Sequence, residues 1–358
     1  MSWDGFREFK ILSKIPEAEN IFSFYLSPVD GAPLPGFLPG QYLTFQLKIP
    51  GRDKPVIRCY SLSDAPSHAD RYRVTIKKIL PPRNQPQASP GLVSSYFTDQ
   101  LRENDVVTAK APSGVFYLDP KGENPVVLLA GGIGMTPLLS MLNAVVDSGS
   151  KREVWFLLGV RNGREHPMKE HLERVAAENE NIHLRVIYSR PTPEDTQGRD
   201  FHHQGHVNGD LLKRVLPSKD FDFYLCGPDA MMKSLRQDLR EWGVPDNRVF
   251  YELFGPTPPV SQTPAGVKPA DRKKTLAVTF AQSGKTVEWD GSADSLLEFA
   301  EDHGVIIDFG CRSGNCGTCS TRVLSGEVEY TEKPEAKIED GHCLTCSSTP
   351  KTDLVLDA

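Results

Sequence analysis

The chain has 358 residues, too many for one ordinary domain, and with 39% hydrophobic and 25% charged residues it has the composition of a globular protein. No apolar run approaches the roughly 20 residues that span a bilayer, and the first residues (Asp4, Arg7, Glu8, Lys10) form no signal-peptide core, so a cytosolic protein without a membrane partner is expected. The net charge of -6 is uneven: fifteen acidic and six basic residues lie from Thr275 onward, against 32 and 35 before it, which makes the C-terminal part an acidic module suited to a basic partner.

From Phe6 to about Leu118, short β-like runs (Ile21–Leu26, Tyr42–Leu47, Tyr72–Ile76, Asp105–Ala109) alternate with Pro and Gly. This spacing predicts a small antiparallel barrel over residues 1–120. Within it Arg58-Cys59-Tyr60-Ser61 places a fixed cation, an aromatic ring and a hydroxyl on one strand. With Pro39-Gly40-Gln41-Tyr42 before it, and Ile76-Lys77 and Gly91-Leu92-Val93-Ser94 after it, this run resembles the ferredoxin-NADP reductase superfamily, whose R-x-Y-S strand holds a flavin. The resemblance implies Tyr60 stacking on the isoalloxazine, Ser61 near its N5 and Arg58 at the diphosphate. It also implies Tyr42, Ile76 and Lys77 around the flavin, with Gly91, Val93 and Ser94 at a flavin phosphate on a short helix. Arg58 to Pro66, with Ser113-Gly114-Val115-Phe116, looks most like the FAD domain of flavohaemoglobins and of oxygenase reductases. FAD is therefore expected ahead of the FMN of phthalate dioxygenase reductase, which shares the domain order. The Pro-rich loop Leu80–Pro90 suits either a cover over an adenylate or an untethered turn.

Pro125 to Ala130 is a continuous apolar run, followed by Gly131-Gly132-Ile133-Gly134-Met135-Thr136-Pro137 and a helical pattern from Leu138 to Val146. Further apolar runs at Val154–Leu158, Leu184–Ile187 and Phe223–Leu225 predict an α/β nucleotide domain with a parallel sheet over residues 121–256. In the reductase family the A-G-G-x-G-x-T-P turn lets a pyrophosphate approach the backbone, which implies Gly132, Gly134, Met135 and Thr136 at NADPH or NADH. The resemblance also places Cys226-Gly227-Pro228 by the nicotinamide. Phe254, in Tyr251-Glu252-Leu253-Phe254-Gly255-Pro256, falls by the flavin face that receives hydride. Ser189-Arg190 follows the third run, and an arginine there suits a 2′-phosphate, which favours NADPH over NADH. His202, His203 and His206 lie in a polar loop without a further ligand at metal-site spacing, and no metal is expected there.

Residues 257–274 are dense in Pro, Ser, Thr and Gly and predict a stiff linker. In residues 275–358, Leu276–Phe280 and Thr286–Trp289 read as a hairpin around Ser283-Gly284 and Ser295–His303 as a helix, with strands at Val323–Tyr330 and Asp353–Leu356. Cys311, Cys316 and Cys319 have C-x4-C-x2-C spacing, with small residues that let the backbone wrap closely. A zinc knuckle would pair its cysteines as C-x2-C hooks; the four-residue first gap suits a plant-type [2Fe-2S] cluster instead. Cys343 and Cys346 both sit where a fourth ligand is needed. Gly341-His342-Cys343-Leu344-Thr345-Cys346 resembles the G-x-x-L-T-C ending of plant-type ferredoxins, which implies Cys346 as that ligand and a β-grasp fold. Four of seven cysteines are thereby used, and the scattered remainder implies no disulfide framework.

A nicotinamide delivers two electrons at once and a [2Fe-2S] cluster accepts one, and a flavin handles both, which accounts for three sites in one chain. The resemblance implies the monomeric reductase component of a multicomponent oxygenase, like those of phenylacetyl-CoA epoxidase, ketosteroid hydroxylase and Rieske oxygenase systems. A reductase for a cytochrome P450 or hybrid-cluster protein is the alternative, and a redox sensor a further one. No nucleic-acid-binding or signalling module is recognisable, which counts against the sensor, and the resemblance implies catalytic roles for Ser61, Cys226 and Phe254 in an NAD(P)H oxidoreductase.

Overall fold

The computed structural model describes the chain except residues 1, 2, 4, 53, 54, 69, 82–84, 255–275, 292, 308, 311, 313, 315, 316, 331–333, 335 and 337. It divides into two compact units, Met1–Phe254 and Gly255–Ala358. The linker expected over residues 257–274 lies outside the described residues.

The first unit begins with β1 (Arg7–Ala18), β2 (Ile21–Pro28), β3 (Tyr42–Leu47), β4 (Val56–Ser61) and β5 (Tyr72–Lys77). Helix α1 (Leu92–Ser95) runs into a π-turn at Tyr96–Gln100, and β6 (Val106–Ala109) follows. These strands form one antiparallel sheet in the order β4-β3-β6-β1-β2-β5, and a bridge between Leu62 and Val74 brings its two edges together as a barrel. The long β1 tolerates Pro16 because its pairing with β2 is irregular there. Phe97, on the π-turn, plugs the barrel, with its ring centre 5.3 Å from those of Phe24, Phe45 and Tyr60 at steep angles.

The same unit continues through β7 (Val126–Gly131), α2 (Met135–Asp147), β8 (Val154–Val160), α3 (Lys169–Glu178), β9 (Ile182–Tyr188) and β10 (His203–Gln204). It ends with α4 (Gly209–Val215), β11 (Asp222–Gly227), α5 (Asp229–Glu241) and β12 (Val249–Leu253). The six strands are parallel, in the order β10-β9-β8-β7-β11-β12. Every residue of β7 is buried, because helices cover both faces: α2 and α3 pack on one, and Leu211, Leu212, Met232, Leu235 and Leu239 of α4 and α5 on the other. Strand order reverses between β7 and β11, and the crevice outside their carboxyl ends is where such sheets bind ligands. Barrel and sheet are tied directly: Ser140 donates to the Asp64 carbonyl at 2.7 Å, and the Glu19 amide to the Arg164 carbonyl at 2.9 Å.

The second unit contains β13 (Leu276–Phe280), β14 (Lys285–Trp289), α6 (Leu296–Asp302), β15 (Ser320–Ser325), β16 (Val328–Tyr330), β17 (His342–Leu344), β18 (Ser348–Pro350) and β19 (Leu354–Leu356). A mixed sheet runs β14-β13-β19-β15-β17, and β16 pairs with β18 separately. The single strand expected over Val323–Tyr330 is therefore two. Gly326, at φ +93°, breaks it where a Cβ would meet the Asp353 carbonyl oxygen at 2.2 Å, a fit that only glycine allows. Ser295 caps α6, its hydroxyl accepting from the Glu298 amide. Among the described residues no helix is long and apolar enough to cross a membrane.

Candidate active site and cluster loop

The first site is built where the barrel meets the crevice. Ser61 ends β4, is 4% exposed, and its hydroxyl lies 3.5 Å from Oε2 of Glu252, the long limit of hydrogen-bond reach. Glu252 on β12 is the register partner of Cys226 on β11. Burial, with the Glu252 carboxylate nearby, pushes the fully buried Cys226 thiol well up and keeps it neutral. Three residues far apart in the chain thus meet at one edge, and Phe254, which follows β12, packs half-buried against the core of the same sheet. Glu252 was not singled out from the sequence, although a carboxylate inside an otherwise apolar final strand is a signal that could have found it.

Backbone approach shapes the floor of the crevice. A Cβ on Gly134 would lie 2.3 Å from the Cys226 carbonyl oxygen, and one on Gly131 2.6 Å from both Met231 and Pro228, so both turns need glycine. Gly132, at φ +54°, would instead point a Cβ into open space, room that a phosphate can fill. Met135 and Thr136 are buried at the start of α2, and the Thr136 hydroxyl donates to the Ile133 carbonyl at 3.1 Å. Pro228 precedes α5, whose amide of Met232 returns to the Pro228 carbonyl.

On the barrel, Arg58 is exposed and, among the described residues, donates to the Ile57 carbonyl, while Tyr42 is 2% exposed beneath Gly114, where a Cβ would strike its ring. The Tyr60 hydroxyl is pushed strongly up by burial, its ring wedged against Phe45 and Phe97. Ile76 and Val93 belong to the barrel core. The Ser94 hydroxyl accepts from the Ile79 amide at 3.1 Å and donates to the Gly91 carbonyl at 3.0 Å, and a Cβ on Gly91 would clash with both Ser94 and Ile79.

Lys77 is not a loose cation. Its ammonium sits 2.7 Å from Glu165, whose other oxygen is held by Arg161, so one carboxylate clasps the end of β5 to the loop after β8. Beside Arg161, the Ser189 and Arg190 amides continue the ladder onto the Val160 and Arg161 carbonyls. Arg190 is exposed and its guanidinium has no partner among the described residues. Asp195 braces this loop by accepting from Gly163, Thr192 and the Thr192 hydroxyl. Of the three histidines expected in a polar loop, His203 instead lies in β10, and His202 accepts from the Val186 amide at 3.0 Å.

In the second unit Cys311 and Cys316 lie outside the described residues. Cys319 and Cys346 are buried and drawn together, because both the amide and the hydroxyl of Thr345 donate to the Cys319 carbonyl. The Gly314 amide donates to the Cys346 sulfur at 3.3 Å, the contact a cluster thiolate needs. Cys343 instead points into the core, fully buried, its thiol pushed up to about 12 by burial, with the nearby Ser348 side chain opposing. The described donors therefore fit an iron–sulfur cluster at the Cys346 side.

Comparison with known proteins agrees with this layout. Residues 10–117 match the oxidoreductase FAD-binding domain, 128–237 the oxidoreductase NAD-binding domain and 278–351 the 2Fe-2S iron-sulfur cluster binding domain. The flavohaem-like FAD/NAD-binding domain of nitric oxide dioxygenase from Vibrio cholerae is 32% identical, with a TM-score of 0.62 over 70% of this chain and 99% of that one. The chain belongs to the ferredoxin-NADP reductase superfamily. Phthalate dioxygenase reductase, described as a modular structure for electron transfer from pyridine nucleotides to [2Fe-2S], matches 99% of this chain and 98% of that one at 28% identity and a TM-score of 0.57. A flavohaemoprotein of Halalkalibacterium halodurans is 42% identical over 254 residues, 71% of this chain but only 61% of the relative. This superfamily member thus spans about three fifths of the curated flavohaemoproteins it matches.

Proposed function

We propose that the chain is an NAD(P)H-dependent flavin and iron–sulfur reductase that delivers single electrons to a separate oxygenase. The observation that carries this reading is the end-to-end match to phthalate dioxygenase reductase, described as transferring electrons from pyridine nucleotides to [2Fe-2S], with the cluster module at residues 278–351 following the 254-residue flavohaemoprotein-like part. When bound, the nucleotide would supply hydride, the flavin would take it, and the cluster would carry one electron at a time. Tyr60, Arg58, Tyr42, Ile76 and Lys77, with Gly91, Val93 and Ser94, hold FAD. Gly132, Gly134, Met135, Thr136, Ser189, Arg190, Gly227 and Pro228 hold the nucleotide. Ser61 would offer a hydroxyl to the reacting edge, with the Glu252 carboxylate as its hydrogen-bond acceptor, while neutral Cys226 would add no competing charge beside the nicotinamide. Phe254 would cover the flavin face where nicotinamide enters, and Cys311, Cys316, Cys319 and Cys346 would ligate the irons.

Removing residues 275–358 tests the electron path. The remaining unit has its own cores. It should still reduce ferricyanide with NAD(P)H and lose efficient reduction of cytochrome c and support of an oxygenase. Full oxygenase support by the truncated protein would refute the cluster as the exit.

A further inference from the structure

Resting on the cluster reading of the second unit, we propose that Glu301 and Arg312 form a charge-compensated clamp that fixes the first turn of the cluster loop and sets the cluster's reduction potential. Glu301 is on the core-facing side of α6, alongside Leu297 and Ala300, and is only 8% exposed. A carboxylate does not stay ionised in such a place without a partner. Its partner is the Arg312 guanidinium, which pairs with Oε1; the two side chains are 7% and 13% exposed. The same guanidinium centre lies 4.2 Å from the ring centre of Phe309.

The backbone shows that this arginine is held against its own preference. Arg312 has φ +58°, a left-handed conformation that its neighbours Gly314 and Gly317, at +73° and +77°, adopt without strain. An arginine occupies the turn immediately after Cys311, and its side chain supplies what offsets the strain: one buried ion pair and one ring. Two residues later the Gly314 amide reaches the Cys346 sulfur, so the turn that Arg312 anchors is also the turn that aims this donor.

The pair's charges act on the cluster because little water screens them. Glu301 Oε2 and Arg312 Nε are both buried without a hydrogen-bond partner among the described residues, so neither charge is dissipated in a wider network. A cluster gains one negative charge on reduction, and its potential follows nearby charge. With both residues present the charges cancel. Removing the carboxylate leaves a cation beside the loop and favours the reduced state; removing the guanidinium does the reverse.

The test is an anaerobic redox titration of the full chain, followed by electron paramagnetic resonance of the reduced cluster. Iron and acid-labile sulfide in the unmodified protein test the cluster reading separately, and their absence would overturn that reading and the clamp with it. With the cluster present, Glu301→Gln should raise the midpoint potential, Arg312→Gln should lower it, and the double variant should return to the unmodified value. Shifts of the same sign, or no shift in Glu301→Gln, would overturn the clamp while leaving the cluster reading intact. Should Arg312→Gln hold no cluster, Arg312→Lys carries the second arm. It keeps the charge but loses the planar fit, so it should keep the potential and lose iron faster to a chelator; a potential shift as large as that of Glu301→Gln would refute the proposal.

Discussion

Gly134→Ala tests how the crevice is made. The new Cβ would sit 2.3 Å from the Cys226 carbonyl oxygen, 2.5 Å from its carbon and 2.7 Å from the Gly227 nitrogen, against 3.4 Å for ordinary contact. All three atoms are backbone at the end of β11, so no side chain can swing aside, and the turn must retreat by about 1 Å. Overpacking of this kind costs about 1–3 kcal/mol. For a unit of this size each kcal/mol lowers Tm by roughly 2–4 °C. The retreat also moves the nucleotide floor away from Ser61 and Glu252, and a misplacement near 1 Å costs on the order of 100-fold in rate. Thermal melting followed by flavin fluorescence, and kcat/KM for NAD(P)H, are the assays. Flavin content should be unchanged, because no barrel residue is touched. A variant that melts with the unmodified protein and keeps its kcat/KM would refute the close-contact account.

Cys346→Ser should perturb or abolish the cluster's visible absorption and spare the flavin's, whereas Cys343→Ser should change neither; equal loss from both would sink the choice of Cys346. Arg190→Ala should depress kcat/KM for NADPH by at least about tenfold, roughly 1.4 kcal/mol, and leave NADH nearly untouched, and an unchanged ratio would remove this exposed guanidinium from the site. His166, 3% exposed, has its ring lowered from 6.5 to about 4 by burial, with Lys169 second, while Asp200 and Asp195 oppose and His202 assists. The folded ring holds its proton more weakly than the unfolded one, so its contribution is complete above about pH 6.5 and is lost as pH falls towards 4, by up to about 3 kcal/mol. His166→Asn should flatten the fall of the urea midpoint between pH 7 and pH 5; an equally steep fall would assign the acid sensitivity elsewhere.

The parts of this chain that were legible in advance are those whose signal is local. β3 and β13 are legible to their ends, because a run of six or five residues whose apolar side chains recur at every second position (Leu43, Phe45, Leu47; Leu276, Val278, Phe280) needs no distant information. The start of α2 was placed three residues late, since Met135, Thr136 and Pro137 belong to a glycine-rich turn whose helical continuation only packing reveals. The extent of β1 is not legible in the same way, since Pro16 fits a strand only through its irregular pairing with β2. Val323–Tyr330 looked continuous because Gly326 declares a break only once Asp353 is found against it.

Site residues divide in the same way. Cysteine spacing and glycine turns are written along the chain, but Glu252 is recognisable only through its partners, Ser61 191 positions away and Cys226 on the adjacent strand. Lys77 illustrates the converse: its place in a motif was readable, its clasp to Glu165, 88 residues later, was not. That clasp has a chemical consequence for the flavin side. In the proposed flavin site an ammonium paired with a carboxylate would present less net charge, and Glu165 is itself shared with Arg161 in the loop after β8. Glu165, which belongs to neither binding motif, thus adds a charged tie between barrel and sheet to the hydrogen bonds of Ser140 with Asp64 and Glu19 with Arg164.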